Sequence, residues 1–128
     1  MEVSPVIHKL KSQGALADLY RDHPGKTWVL TGGIFDFLLP EHIDLFEFAR
    51  GKGDSLVVAV EKAGKFTPLE ERLEILNAVA SVDFLITYSG PAELRPICEL
   101  AGKVVLNTGF GPFPEHLLPA GKGINFPL

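Results

Sequence analysis

Cysteine is nearly missing from this chain. Cys98 is the single one in 128 residues, so neither a disulfide framework nor a thiolate metal cluster is available. A surplus of positive charge is missing too. Twelve Lys and Arg against sixteen Asp and Glu leave a formal charge of −4, without the basic footprint that nucleic acid requires. Small molecules or other protein chains are the partners this favours. Long apolar runs are also lacking: none approaches the ~20 residues of a membrane span, and no signal-peptide pattern opens the chain. The expectation is a cytoplasmic protein with neither membrane nor nucleic acid as partner. Charge blocks, low-complexity tracts and linkers are absent up to about residue 108. What is left is one globular domain over 1–128, large enough to bury roughly two thirds of the surface its unfolded chain exposes.

The most informative stretch runs from Thr31 to His42. Trp28-Val29-Leu30 feeds into the pair Gly32-Gly33, and a helix opens near Pro40 with His42 in its first turn. A strand that ends in glycines and hands over to a helix start suits phosphate. Backbone N–H groups approach closely where no Cβ intervenes, and the helix terminus carries partial positive charge.

Elsewhere strand and helix patterns alternate. Ser4-Pro5 reads as a helix opening, with Val6, Ile7, Leu10, Leu16, Leu19 and Tyr20 as a broken apolar stripe stopped at His23-Pro24-Gly25, so an N-terminal helix is expected within 1–25. Residues 26–30 read as the first strand and residues 40–50 as a helix. Leu56 to Val60 is a continuous apolar run, as in a strand covered on both faces. Thr67 and Glu70 form a capping-box pattern around Pro68, followed by Leu69, Leu73, Leu76 and Ala80 at helical spacing. Residues 84–86 make a third strand. A helix from Pro91 carries Leu94, Ile97, Cys98 and Ala101 on one stripe, and residues 104–106 make a fourth strand. From 109 to 128 the pattern dissolves into an irregular Gly/Pro-rich tail, whose Phe110, Phe113, Phe126 and Leu128 suggest packing across the sheet or against a second subunit.

Solidly apolar strands joined by helix-length crossovers predict an α/β Rossmann-like domain: a small parallel sheet of probable order 3-2-1-4 with helices on both faces. Ligands in such sheets bind beyond the carboxyl ends of the strands, where the order reverses.

The run TGGIFDFLLPEHIDLFEFARGKGDSLVVAVE, followed by TPLEERLEILNAVASVDFLI, resembles the cytidylyltransferase-like nucleotidyltransferases, in particular the branch of glycerol-3-phosphate cytidylyltransferase and heptose-phosphate adenylyltransferase. That pattern is a T-x-G-x-F-D turn, H-x-G-H opening a helix, A-R-x-x-G-D-x-L-V-V-A-V, then E-R-x-x-I-L and V-D. The likeness spans residues 26–87. It implies transfer of a nucleotidyl group from ATP or CTP to a sugar- or polyol-phosphate, with release of pyrophosphate and with Mg²⁺.

By the same resemblance Thr31, Gly32, Gly33, Ile34 and Phe35 meet the nucleotide, and Asp36 fixes the turn or meets the acceptor. His42 stabilises charge on the transferring phosphate, Lys62 or Lys65 neutralises the outer phosphates, and Arg72 is the arginine of E-R-x-x-I-L. The departures are specific. Leu39 stands where the motif has its first histidine, and Glu41 replaces its glycine, putting a carboxylate at the helix end that a triphosphate would use. The loop after the second strand is short, and the Ser/Thr-rich segment near the family's C-terminus is absent. These departures keep a second reading open: a catalytically degenerate relative acting as a ligand-binding or assembly module, with a homodimer as one expected form.

Blander readings stand beside these. Arg72 fits the solvated face of a helix, Glu41 a helix-dipole residue, and His42 a helix-start residue bonded to the preceding loop. Asp54 caps the turn into the second strand, Asp83 ends a helix-to-strand loop, and Cys98 is a buried thiol. Pro114-Glu115-His116 echoes Pro40-Glu41-His42. A divalent metal held by the two Glu-His pairs is conceivable, with coincidence the simpler explanation.

Overall fold

The computed structural model describes residues 7–106 and 123–126. Ser4-Pro5 and most of the Gly/Pro-rich tail, including Glu115 and His116, lie outside them.

Five parallel strands form one sheet: β1 (Trp28–Gly33), β2 (Ser55–Glu61), β3 (Phe84–Tyr88), β4 (Lys103–Leu106) and β5 (Gly123–Asn125), in the order β3-β2-β1-β4-β5. Four helices connect them: α1 (Gln13–Asp22), α2 (Pro40–Arg50), α3 (Leu69–Asn77) and α4 (Pro91–Leu100). The expected order 3-2-1-4 is present and extended by β5, a three-residue strand in the stretch read as irregular. It pairs with β4 through Val104↔Gly123, Val105↔Ile124 and Leu106↔Asn125.

Strand alternation divides the core into two layers. Leu30, Val57, Ala59, Ile86 and Val104 face α1 and α4, where they meet Leu16, Tyr20, Leu94, Ile97 and Cys98. Val29, Leu56, Val58, Val60, Leu85 and Val105 face α2 and α3, meeting Leu45, Phe46, Ala49, Leu73 and Leu76. Neighbouring residues such as Val57 and Val58 are both fully buried, on opposite faces, and this is why β2 reads as an unbroken apolar run. The helices divide as one-handed crossovers require. β1, β2 and β3 step one way across the sheet and use α2 and α3, while the return to β4 uses α4 on the other face.

Three local expectations are corrected. Among the described residues the first helix starts at Gln13, and the expected stripe residues Ile7 and Leu10 lie outside it. Ser12 is its N-cap, its Oγ accepting from the Ala15 amide at 3.1 Å. Ile7 and Leu10 precede it in a turn closed by the Leu10 amide on the Ile7 carbonyl at 3.1 Å, and Leu10 bridges the β3 edge, the Lys11 amide donating to the Leu85 carbonyl at 2.8 Å and the Leu85 amide to the Lys9 carbonyl at 2.9 Å. The Thr67–Glu70 capping box does not form: Pro68 is the N-cap of α3, without a side-chain cap bond, and the helix ends before Ala80. Gly32 and Gly33 belong to β1, in register with Ala59 and Val60, so the turn begins at Ile34. Asp54, read as capping the turn into the second strand, bonds to the chain just before β1. The Asp54 carboxylate accepts from the Thr27 amide at 2.7 Å. Asp83 accepts from the Leu56 amide at 2.8 Å and pairs with Arg50 at 2.8 Å, so it is a junction between α2 and the sheet rather than a solvated loop charge.

Candidate active site

The strand order reverses between β1 and β4, so the crevice of this sheet lies at the carboxyl end of β1. There the chain leaves Gly33 and turns through Ile34 and Phe35. Phe35 has φ 55°, the left-handed region. That conformation costs a bulky residue about 1–2 kcal/mol and persists only where the surroundings over-determine it. They do so here. The Phe35 ring is buried edge-on against Phe46 at 5.4 Å and against the His42 imidazole at 5.5 Å.

Hydrogen bonds hold the turn from the other side. The Asp36 carboxylate accepts from the amides of Lys65 (3.1 Å), Phe66 (3.4 Å) and Thr67 (3.3 Å), and the Thr67 hydroxyl donates to the Asp36 carbonyl at 2.6 Å. Those amides, the Lys65 amide foremost, and the nearby Arg72 charge hold the Asp36 carboxyl below its ordinary pKa, against a smaller opposing effect of desolvation. Arg72, 2% exposed, completes the latch. Its Nη1 donates to the Ile34 and Glu61 carbonyls at 2.7 Å each, Nη2 to Lys62 at 3.0 Å and Nε to Thr67 at 2.9 Å. One planar guanidinium thus ties the β1–α2 loop to the β2–α3 loop, a task suited to five donors in a rigid fork. Gly64 lets the loops close. A Cβ there would lie 2.7 Å from Asp36 Oδ1 and 2.9 Å from Arg72 Nη2.

His42 sits in the first turn of α2, its side chain buried. The Leu39 amide donates to its Nδ1 at 2.9 Å, so the neutral ring carries its proton on Nε2. Burial lowers the imidazole pKa, and Glu41 pulls weakly in the opposite direction. The ring is therefore a neutral donor near pH 7. Leu39 is 47% exposed and Glu41 is exposed, while Gly32, Gly33, Phe35 and His42 are buried.

The expected site residues fall into two groups. Ile34, Asp36, Lys62, Lys65 and Arg72 converge at the latch, while Phe35 and His42 share the buried cluster beneath the turn. Thr31 is fully buried, its hydroxyl donating to the Val105 carbonyl at 2.9 Å across the β1–β4 ladder. Arg72, read also as a solvated helix residue, is buried instead, and Lys62 and Lys65 are exposed. Phe37, Phe66, Thr67 and Gly64 were not anticipated. The opening Lys65-Phe66-Thr67, facing an aspartate thirty residues earlier, carries no local sequence signal. Among the described residues no three His, Cys, Asp or Glu side chains converge as metal ligands, and Asp36 is engaged with amides. These residues build no metal cage. A Mg²⁺ ion would arrive with triphosphate oxygens as most of its ligands.

No family model matches the chain. It is 34% identical over 95 residues to the bifunctional protein HldE of Methylococcus capsulatus, covering 66% of this chain and 20% of that protein. Against HldE of Desulfatibacillum aliphaticivorans the identity is 40% over 122 residues, 88% of this chain and 24% of the relative. The chain therefore spans about a fifth to a quarter of the length of the curated relatives it matches. The crystal structure of a lipopolysaccharide core biosynthesis protein from Thermoplasma volcanium GSS1 superposes with a TM-score of 0.56 at 25% identity, covering 64% of this chain and 75% of that one.

Proposed function

The chain belongs to the cytidylyltransferase-like nucleotidyltransferase family, and from that premise we propose that it transfers a nucleotidyl group from ATP or CTP to a sugar- or polyol-phosphate, releasing pyrophosphate. An oxygen of the acceptor phosphate attacks the α-phosphorus in line as the bond to pyrophosphate breaks. Such chemistry asks the protein chiefly for positioning and charge stabilisation.

One observation carries the reading. At the carboxyl end of β1, beside the switch point, the strand hands over through the Ile34–Phe35 turn to the first turn of α2, where His42 lies and where Leu39 and Glu41 are exposed. In this reading the backbone from Thr31 to Phe35 lies against the nucleotide, and the His42 Nε2–H donates to the transferring phosphate. Lys65 or Lys62 meets the outer phosphates. Arg72 acts through the loops it ties, because its donors face carbonyls.

A second reading, binding without transfer, is favoured by one feature. Leu39 brings no donor to the helix start, and Glu41 sets a negative charge beside the positive end that a phosphate would use.

Thermal melts with ATP or CTP and Mg²⁺ test binding. A nucleotide at a hundredfold its Kd adds about 2.7 kcal/mol, a rise of about 10 °C for a domain this size. Pyrophosphate release with a panel of sugar phosphates tests transfer. Activity unchanged in His42→Ala removes that residue from the mechanism, and binding without release establishes the second reading.

A further inference from the structure

The opposite end of the sheet holds a cavity that plays no part in the proposed transfer. Its volume is about 310 Å³, and it lies at the amino end of β1, between the last turn of α1 and the last turn of α4. Tyr20 and Trp28 form its floor, 6% and 4% exposed, with ring centroids 4.8 Å apart. The Tyr20 hydroxyl and the Trp28 indole Nε1 are buried, and neither has a hydrogen-bond partner among the described residues. Burial pushes the Tyr20 phenol above its ordinary pKa, so it keeps its proton and remains a donor. Two unpartnered donors in one floor are unusual, since buried polar groups are nearly always satisfied. Leu100 and Pro24 supply apolar wall, and the rim carries Arg21 and Lys26, both exposed. No Asp or Glu is among the lining residues. Arg21 pairs with Asp18 at 2.7 Å, but that contact is exposed and competes weakly with a ligand. Donors below, cations above and apolar walls between select an anion with an apolar body.

We propose that this cavity is a second ligand site, for a small organic oxyanion, a carboxylate or phosphate ester with a flat apolar body. Lys26 Nζ stands 4.8 Å from the centroid of the Trp28 ring. An oxyanion making contacts of about 3 Å therefore reaches the ammonium and the indole N–H together. Lys26 is exposed and rests on a single cation–π contact, so its long side chain moves aside readily to admit the group. The apolar body then lies against Tyr20, Leu100 and Pro24, and Arg21 adds charge at the mouth. Trp28 and Gly33 are the first and last residues of the six in β1, about 17 Å apart at the rise of a strand. A ligand here binds alongside a nucleotide rather than in its place, and the site does not depend on the transfer reading.

Magnetic resonance of the nitrogen-15-labelled whole chain tests this, because Trp28 is the single tryptophan and gives one indole N–H signal. Benzoate and phenyl phosphate serve as the carboxylate and phosphate probes. Benzyl alcohol presents the body without the charge, and inorganic phosphate the charge without the body. The expected result is a saturable downfield shift of the indole proton with benzoate, phenyl phosphate or both, at a Kd of about 1 mM or tighter, as fits a ligand of this size. Benzyl alcohol and inorganic phosphate are expected to bind at least about fivefold more weakly. Lys26→Glu turns attraction into repulsion at the rim and is expected to weaken binding about tenfold or more, its melting curve checking the fold. Arg95→Ala removes an exposed cation of α4 that does not line the cavity, and is expected to change affinity less than about twofold. Saturating ATP leaves the indole shift in place.

An indole signal that moves with neither organic anion overturns the proposal. So does equal binding of benzyl alcohol, which makes the cavity apolar space without anion selectivity, or of inorganic phosphate, which makes it the site of an adventitious ion only. Unchanged affinity in Lys26→Glu, or a shift abolished by ATP, places the anion elsewhere and overturns it as well. Whichever of benzoate and phenyl phosphate binds more tightly identifies the headgroup. An indole shift without nucleotide binding leaves this site standing and removes the transfer reading; pyrophosphate release without an indole shift does the reverse.

Discussion

Arg72→Ala removes one side chain and four hydrogen bonds, leaving the carbonyls of Ile34, Glu61, Lys62 and Thr67 without that donor. Charge-assisted bonds contribute about 1.5–3 kcal/mol each, but they share one side chain and do not add. The better guide is the cost of buried acceptors left without a donor, about 1–3 kcal/mol for each and about 3–5 kcal/mol for carbonyls that share one, since at 2% exposure water cannot replace the guanidinium without the loops parting. With about 2.1 cal/mol/K of unfolding entropy per residue, a domain of this size loses about 4 °C per kcal/mol, so Tm is expected to fall by about 10–20 °C. Arg72→Lys keeps the charge and loses the planar fork. One ammonium cannot span carbonyls on three segments, and less than half of the loss is expected to be recovered. Calorimetric melting measures both, and hydrogen exchange adds a local readout, faster exchange at the Lys65, Phe66 and Thr67 amides. A drop of less than about 4 °C in the alanine variant, or a lysine variant equal to wild type, refutes the reasoning.

His42→Gln keeps an acceptor for the Leu39 amide, as glutamine does at the third position of a capping box, and removes the titrating ring. Because burial lowers the folded pKa from 6.5, the unfolded chain takes up the proton first and wild-type stability declines as pH falls below about 6.5. Urea melts between pH 7 and 5 are expected to show a flatter decline in the variant. Asp36 runs with the usual carboxylate sign: its pKa is depressed below 3.8, so its contribution is full above that value and is lost as pH falls further. The stability gap between wild type and Asp36→Asn is therefore expected to be open at pH 7 and to close toward pH 2 in acid titrations. Gly53→Ala places a Cβ 2.7 Å from Val29 Cγ2 and 2.8 Å from the Thr27 carbonyl, both fixed by the sheet, and is expected to cost about 1–3 kcal/mol in denaturant melts. Gly25→Ala, with nothing within 4 Å, is the matched control. Glu41→Gly is expected to tighten nucleotide binding in a titration; weaker binding contradicts the view that this carboxylate opposes phosphate at the helix start.

Legibility in the sequence followed the range of the forces involved. β2, α2 and the order of four strands were readable because burial on both faces leaves a run of apolar residues and burial on one face leaves a stripe. β5 was not readable. Gly123-Ile124-Asn125 is too short for a period, and its pairing depends on the exposed edge of β4. Ile7 and Leu10 matched a helical stripe, yet their segment pairs with Leu85 at the sheet edge, and a few apolar residues fit either geometry. Thr67 has the residue type of a cap, but a contact with Asp36 thirty-one positions away displaced the local option. Arg72 was the hardest to read. Its partners are backbone carbonyls, which every residue possesses, so no side-chain pattern announces that a helical arginine faces inward. His42, by contrast, was legible both as a helix-start residue bonded to the loop before it and as a neighbour of the turn, because the amide that donates to it lies three residues away.

The latch also limits what chemistry this site is able to perform. Two of the charges nearest the turn, Asp36 and Arg72, are directed at backbone groups of the two loops. Under the proposed reaction, charge developing on the transferring phosphate meets amides, the neutral imidazole of His42 and the lysines of an exposed loop. Exposed lysines contribute little, because water screens them and their side chains must be ordered. Amides and a buried imidazole are the stronger donors, since their orientation is fixed before the ligand arrives. Their placement depends on the left-handed turn at Phe35, and that turn is held by Arg72 on the Ile34 carbonyl and by the rings beneath. Preorganisation here is a property of the scaffold joining two loops. A substitution that loosens the latch is therefore expected to weaken ligand binding even though it touches no ligand, while one at Lys62 acts mainly through salt-dependent attraction.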